Sequence, residues 1–225
     1  MTHYLKYTSR TVCLMTLCSI LFLFSCKKDK DDATATDNSY FPMTVGSNWS
    51  YKVQGGAATD TFFLKVTPST LNAGGKTYTI ITNQDPRYGP YDINYRKDNG
   101  VLYQYYNVEF WWFLDAPGTP TDVEIIVLKE NASVGESWTN PTIKGKMGGV
   151  DVTITQKVTV LAKGPATSGV VTSNDVIKIL IEFTKNGAPW YSEEIWYARG
   201  IGEIYHSQKE GNNFLVSNIT RYQVS

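Results

Sequence analysis

Apolar and polar side chains alternate along most of this chain, and that alternation limits its possible folds more than any other feature. Trp49, Tyr51 and Val53 alternate with Ser50, Lys52 and Gln54, while Phe62, Leu64 and Val66 share one face. Val152, Ile154, Val158 and Val160 share another, interrupted by Gln156, and Ile177, Ile179, Ile181 and Phe183 oppose Lys178, Glu182 and Thr184. A period of two places successive side chains on opposite faces of an extended strand, so each run predicts a strand with one buried face. Turn formers separate the runs at Asn72 to Gly75, Asp98 to Gly100, Gly148 and Gly149, Asn186 and Gly187, and Glu210 to Asn213. Asp98, Asn99 and Gly100 form the clearest hairpin, because Asn and Gly tolerate the positive φ of a tight turn. From Tyr40 onward no apolar stripe of helical period stands out. The expectation is an all-β fold, a curved antiparallel sheet closed as a half-barrel, barrel or sandwich.

Two signatures recur in the same order. Val45, Gly46 and Trp49, followed by Ser50, return as Val134, Gly135 and Trp138, followed by Thr139. Ile93, Tyr95, Lys97, Gly100, Val101 and Tyr105 return as Ile195, Tyr197, Arg199, Gly200, Ile201 and Tyr205. Two related β-meanders, over 40–128 and 129–225, are therefore expected within one domain spanning 40–225.

The N-terminal segment has a different pattern. Lys6 and Arg10 precede thirteen uncharged residues from Val12 to Phe24, and Ser25 and Cys26 follow. Thirteen residues are too few to cross a ~30 Å hydrocarbon core, which takes about 20 in a helix, and the pattern fits a cleaved leader over 1–25. Lys27 to Ser39 contains no large apolar residue to repay the entropy of folding, and residues 26–39 are read as a tether. Its thirteen spacer residues could extend at most ~45 Å at about 3.3 to 3.6 Å each.

Leu23, Phe24, Ser25 and Cys26 resemble the lipobox of bacterial lipoproteins, which implies diacylation of the Cys26 thiol and cleavage before it. Asp29, Asp31 and Asp32 resemble the acidic export signal of surface lipoproteins in Bacteroidetes-type bacteria. Tyr40 to Tyr51, Val134 to Thr139 and Trp196 to Ile204 (WYARGIGEI) resemble lipoproteins of unknown function from the same bacteria. That resemblance implies a curved antiparallel sheet similar to the half-barrel of the LolA and LolB carriers, and implies no enzyme activity. The expected location is the outer membrane, lipid-anchored at its periplasmic face or the cell surface.

Charge and cysteine content remove several function classes. Beyond residue 25 there are 19 basic and 21 acidic side chains, a net charge of −2 with His neutral. With no basic excess, nucleic acid is not an expected partner. Cys26 is the only cysteine of that portion, so intrachain disulfides, thiol nucleophiles and Cys-ligated metals are not expected there. His206 is its only histidine and is read as a surface residue near a strand end. A metal site built on several histidines is therefore not expected. No cofactor motif is present.

Carboxylate pairs are the remaining route to catalysis, since a glycosidase needs two acids about 5 to 10 Å apart. Asp122 with Glu124, and Glu109 with Asp115, are read as solvated acids, and Glu193 and Glu194 as pointing to opposite faces. The aromatic stretch Tyr103 to Leu114, YQYYNVEFWWFL, either belongs to the core or presents rings to a ligand. Tyr103, Tyr105, Trp111, Trp112 and Phe113 are the candidate binding residues, with Tyr103, Tyr105, Trp111 and Phe113 sharing one face. The sequence thus predicts a lipid-anchored, non-catalytic binding module for a glycan or apolar ligand. A structural or assembly lipoprotein contacting another envelope protein is the alternative, and a carboxylate-dependent glycoside hydrolase ranks third.

Overall fold

The computed structural model describes residues 37–54, 60–86, 89–106, 116–117 and 123–225. Cys26, Glu109, Trp111, Trp112, Phe113, Asp115 and Asp122 lie outside these residues. Among the described residues there is no helix. The strands are β1 (Asn48–Val53), β2 (Thr61–Ala73), β3 (Lys76–Asp85), β4 (Gly89–Asp98), β5 (Val101–Tyr106), β6 (Ala116–Pro117) and β7 (Val123–Lys129), followed by β8 (Ser137–Thr139), β9 (Ile143–Met147), β10 (Val150–Ser168), β11 (Val171–Lys185), β12 (Ala188–Ala198), β13 (Gly202–Glu210) and β14 (Asn213–Gln223).

All belong to one antiparallel sheet. Thirteen strands follow the path β6-β9-β10-β11-β12-β13-β14-β1-β2-β3-β4-β5-β7, and β8 pairs with β10 beside it. The first and last strands are neighbours at its centre, with Tyr51 opposite Ile219. The period-two runs locate the core face. Trp49 opposes Leu64, Val66 opposes Ile81, Val158 opposes Ile181 and Ile179 opposes Ile195, and all of these are buried. The β4–β5 turn has the positive φ expected of a tight hairpin, 49° at Asn99 and 75° at Gly100.

Trp49 ties two of the sequence signatures together. Its indole is fully buried, and Nε1 donates to the Ile201 carbonyl at 2.5 Å. The corners that carry Val-Gly-x-x-Trp also match in detail. Gly46 N donates to Val66 O at 3.1 Å and Val66 N to Ser47 O at 2.9 Å. Gly135 N donates to Val160 O at 2.8 Å and Val160 N to Glu136 O at 2.9 Å.

Side chains bring the two ends of the path together. Asn140 follows β8, and its backbone N–H donates to Gln156 O of β10 at 2.9 Å. Its side chain faces the other way: Oδ1 accepts from Ile126 N of β7 at 2.9 Å, and Nδ2 donates to Ile126 O at 3.1 Å and to Gln156 Oε1 at 3.2 Å. The Asn140 amide thus takes the place of a peptide group in a ladder, beside Trp138 Nε1, which donates to Ile126 O at 3.0 Å. Both donors and the acceptor are used at a site 4% exposed.

The described residues begin three positions before Tyr40. Asp37 accepts from Met43 N at 2.9 Å and pairs with Lys97, which also donates to Ser39 Oγ at 2.7 Å. Gly200 N donates to Ser39 O at 2.7 Å. The Tyr40 phenol bonds Asp175, with the Arg199 guanidinium 4.1 Å above its ring. Phe41 packs against Tyr95 of β4, Tyr197 of β12 and Trp49 of β1, with ring centroids 5.1, 6.1 and 5.8 Å away. Asp37, Asn38 and Ser39, read from sequence as tether, are thus fastened where β4 turns into β5 and β12 into β13. Their short polar side chains cannot build a core but cap turn backbones well.

Candidate functional site on the concave face

On the path, β4 lies five strands from β13 and six from β12. At about 4.8 Å per strand, a flat sheet would hold β4 and β12 roughly 29 Å apart. Phe41 nevertheless packs on both Tyr95 of β4 and Tyr197 of β12, with ring centroids 5.1 and 6.1 Å away, and the Tyr95 and Tyr106 phenols feel the charge of Glu193 on β12. Curvature of the sheet accounts for this, since it turns the inner faces of β4–β5 and β12–β13 toward each other.

Register puts polar groups on that inner face. Glu193 opposes Ile181, and His206 opposes Ile195. A bulge between Trp196 and Tyr197 sets Tyr197 opposite Glu203, so that Glu203 faces inward along with its buried neighbour Ile204. His206 stands between the two acids. Its Nε2 is 3.8 Å from Glu193 Oε2, and its Nδ1 is 3.6 Å from Glu203 Oε1. The reading of His206 as a surface residue near a strand end is therefore corrected. It lies within β13, on the face it shares with Ile204. The expectation for Glu193 and Glu194 holds: Glu193 points inward, and Glu194 bonds Trp196 Nε1 at 2.6 Å.

These inward groups remain reachable by solvent. The side chains of Glu193, Glu203 and His206 are 15%, 14% and 25% exposed, and Tyr91, Tyr95, Tyr106 and Tyr191 are half-buried. Deeper in, Tyr51 and Tyr197 are fully buried, and the Tyr51 phenol donates to the Glu203 carbonyl at 3.0 Å. Burial raises the Glu203 carboxyl above the usual range; His206 opposes that rise and Glu193 adds to it. Burial likewise holds the Tyr95 and Tyr106 phenols far above their ordinary value.

Two buried polar atoms among the described residues have no hydrogen-bond partner, Asn83 Oδ1 and His206 Nε2. Asn83 faces inward on β3, and its Nδ2 donates to the Tyr91 phenol at 2.6 Å. No group of three His, Cys, Asp or Glu among the described residues is arranged to hold a metal ion.

Tyr103 and Tyr105, the candidate residues within the described chain, face outward. Arg96 opposes Tyr103 across the strands and lies 3.8 Å over its ring, while Tyr105 packs on Tyr78 at 5.0 Å. Both border a closed cluster around Glu124. Arg96 donates from Nε at 2.7 Å and Nη2 at 2.8 Å, Lys76 at 2.8 Å and the Tyr78 phenol at 2.6 Å. Glu124 was read as a solvated acid, but here it is fully engaged. Burial pushes its pKa up, yet the bonds from Arg96, Lys76 and Tyr78 outweigh that and hold it at about 2. The unfolded value is about 4.5, so the stabilisation is complete above pH 4.5 and is lost as pH falls through 2. Glu124→Gln should flatten the acid limb of the stability curve over that window, by about 3 kcal/mol at most. Urea midpoints recorded from pH 6 to pH 2 check this, and an unchanged slope would contradict it.

No protein-family model and no curated protein matches the chain. Among solved structures, it is similar to a candidate lipoprotein from Parabacteroides distasonis ATCC 8503, with a TM-score of 0.51 and 14% identity over 83% of this chain and 99% of that one. A candidate exported protein with a YmcC-like fold from Bacteroides fragilis NCTC 9343 aligns with a TM-score of 0.49 and 10% identity over the same shares. At this identity the likeness concerns the fold alone, and the chain shares the fold of the Parabacteroides protein.

Proposed function

We propose that this chain is a lipid-anchored protein of the bacterial outer membrane whose curved sheet is a non-catalytic binding module for a glycan or a ligand with an apolar body. The observation that carries the reading is the inner face itself: acids, an imidazole and tyrosine rings remain reachable by solvent, and among the described residues Asn83 Oδ1 and His206 Nε2 have no hydrogen-bond partner. Elsewhere the fold satisfies a comparable acid, Glu124, completely, and unpaired buried polar groups are costly enough to need a reason. Convergence of Glu193 and Glu203 gives the hydrolase reading some footing. The His206 imidazole, however, occupies the space between the two carboxylates, where a scissile sugar bond would have to sit. An assembly role through strand-edge pairing has less support, because Ile126 of β7 is already bonded by Trp138 and Asn140.

The lipobox pattern and the fold shared with a candidate lipoprotein support the anchor. Cys26→Ala should move the protein from the membrane fraction to the soluble one, or leave it unprocessed, with the same thermal midpoint. Membrane association retained by the variant would overturn the anchor. The binding role is tested by intrinsic fluorescence titration with envelope glycan fragments and fatty acids. A saturable change is expected from at least one class, and none from either would reject the reading.

A further inference from the structure

We propose that the ligand of the concave face is a cation, an ammonium group seated against Glu193 and Glu203 among the rings of Tyr95, Tyr106 and Tyr191. This rests on the binding reading above and gives it a ligand class.

The polar groups of the site are short of donors. Glu193 Oε1 accepts from Gln208 Nε2 at 2.9 Å, but among the described residues its Oε2 has only His206, at 3.8 Å. Glu203 Oε1 faces His206 Nδ1 at 3.6 Å, longer than a hydrogen bond. Asn83 is 5% exposed and spends its amide nitrogen on Tyr91, leaving Oδ1 an acceptor with no hydrogen-bond donor among the described residues. The Tyr91 phenol interacts with those of Tyr95 and Tyr106, and these feel Glu193, which links Asn83 to the two acids. One imidazole, even when protonated, neutralises one of two carboxylates.

Glu124 shows the contrast within the same sheet. There a guanidinium, an ammonium and a phenol fill both carboxylate oxygens. The inner pair lacks such a complement, and a bound ammonium would supply it. Phenol rings add a second reason, since the electron-rich face of an aromatic ring attracts a cation, most strongly where water is partly excluded. A neutral sugar or a fatty acid would leave the carboxylates as they are, and a fatty acid would add a third negative charge.

The test uses pairs matched in shape and differing in charge: choline against 3,3-dimethyl-1-butanol, and glucosamine against glucose, titrated into the full chain by calorimetry at pH 7. At least one charged member should bind at least tenfold more tightly than its neutral partner. Glu193→Gln and Glu203→Gln should each remove most of that difference while keeping the sheet's circular dichroism and thermal midpoint. Equal affinities within both pairs, or selectivity unchanged in both variants, would overturn the cation. If neutral members bind as well as charged ones, the binding module stands and only the ligand class falls. If none of the four binds, the cation proposal fails, and the glycan and fatty-acid titration decides the broader reading.

Discussion

Gly169→Ala should lower the thermal midpoint by roughly 10 °C, far more than an exposed-turn glycine would. The long β10–β11 hairpin ends at Gly169 and Val170, and its tip lies on β14. Val170 N donates to Ile219 O at 3.3 Å, and the Ser168 hydroxyl bonds Ile204 O at 2.7 Å beside Asn218 Oδ1 at 2.9 Å. A Cβ on Gly169 would meet the Ile219 carbonyl oxygen at 1.8 Å and its carbon at 2.9 Å. Both are strand backbone and cannot turn aside as a side chain tip can, so the hairpin must lift. Lifting it exposes Val171 and Ile219, 2% and 0% exposed, and strips Ser168 from the carbonyl at the β12–β13 bulge. Together these losses are worth about 3–5 kcal/mol, and in a domain of this size each kcal/mol moves the midpoint by about 2–4 °C. Gly75→Ala is the control. Its φ is also positive at 73°, but a Cβ there meets nothing within 4 Å, so strain alone should cost about 1 kcal/mol. Equal losses in the two variants, by calorimetry, would mean the hairpin tip is not seated on β14.

Asn140→Asp should be comparably severe at neutral pH, and its severity should depend on pH. The replacement has the same shape but loses both amide donors, leaving a carboxylate against the Ile126 carbonyl and Gln156 Oε1 at a site 4% exposed. A buried charge facing acceptors costs about 3–5 kcal/mol. Burial and acceptor neighbours raise the pKa of the introduced carboxyl in the folded state. The penalty is therefore small below the unfolded value near 4 and grows as pH rises through the folded value. Urea midpoints at pH 4 and pH 7 should show the gap to the parent protein widening with pH. A variant within ~0.5 kcal/mol of the parent at pH 7 would remove Asn140 from the account of how β7 is held to β10.

The seam and the site are the parts least readable in the sequence. Strand existence was legible, because one buried face per strand imposes period two, and Asn99–Gly100 announced its own turn. Trp49 and the WYARGIGEI run were visible as signatures, but their contact through Ile201 was not. Asn140 looks like any loop asparagine until β7 is known to lie beside it. His206 could have been found: it sits two residues from Ile204, and Glu193 two residues from Ile195, so each shares a face with a core residue. Glu203 could not, since only the bulge at Trp196 and Tyr197 turns it inward beside Ile204. The aromatic pattern pointed to Tyr103 and Tyr105, which the register places on the outer face with Arg96 and Tyr78. Rings attract attention in a sequence, whereas a site assembled from two opposing walls of a curved sheet leaves no local pattern.

His206 also supplies the most direct test of the concave face as the binding face. It is the only histidine beyond residue 25, so its imidazole resonances form a single reporter standing between Glu193 and Glu203. The decisive measurement is the His206 ring shift in the isotope-labelled protein, followed through a titration with a ligand that gives a saturable fluorescence change. Binding on the concave face predicts that the shift moves and saturates with the same midpoint. A ligand that saturates the fluorescence while leaving the His206 ring unmoved binds elsewhere, and would contradict the assignment of this face.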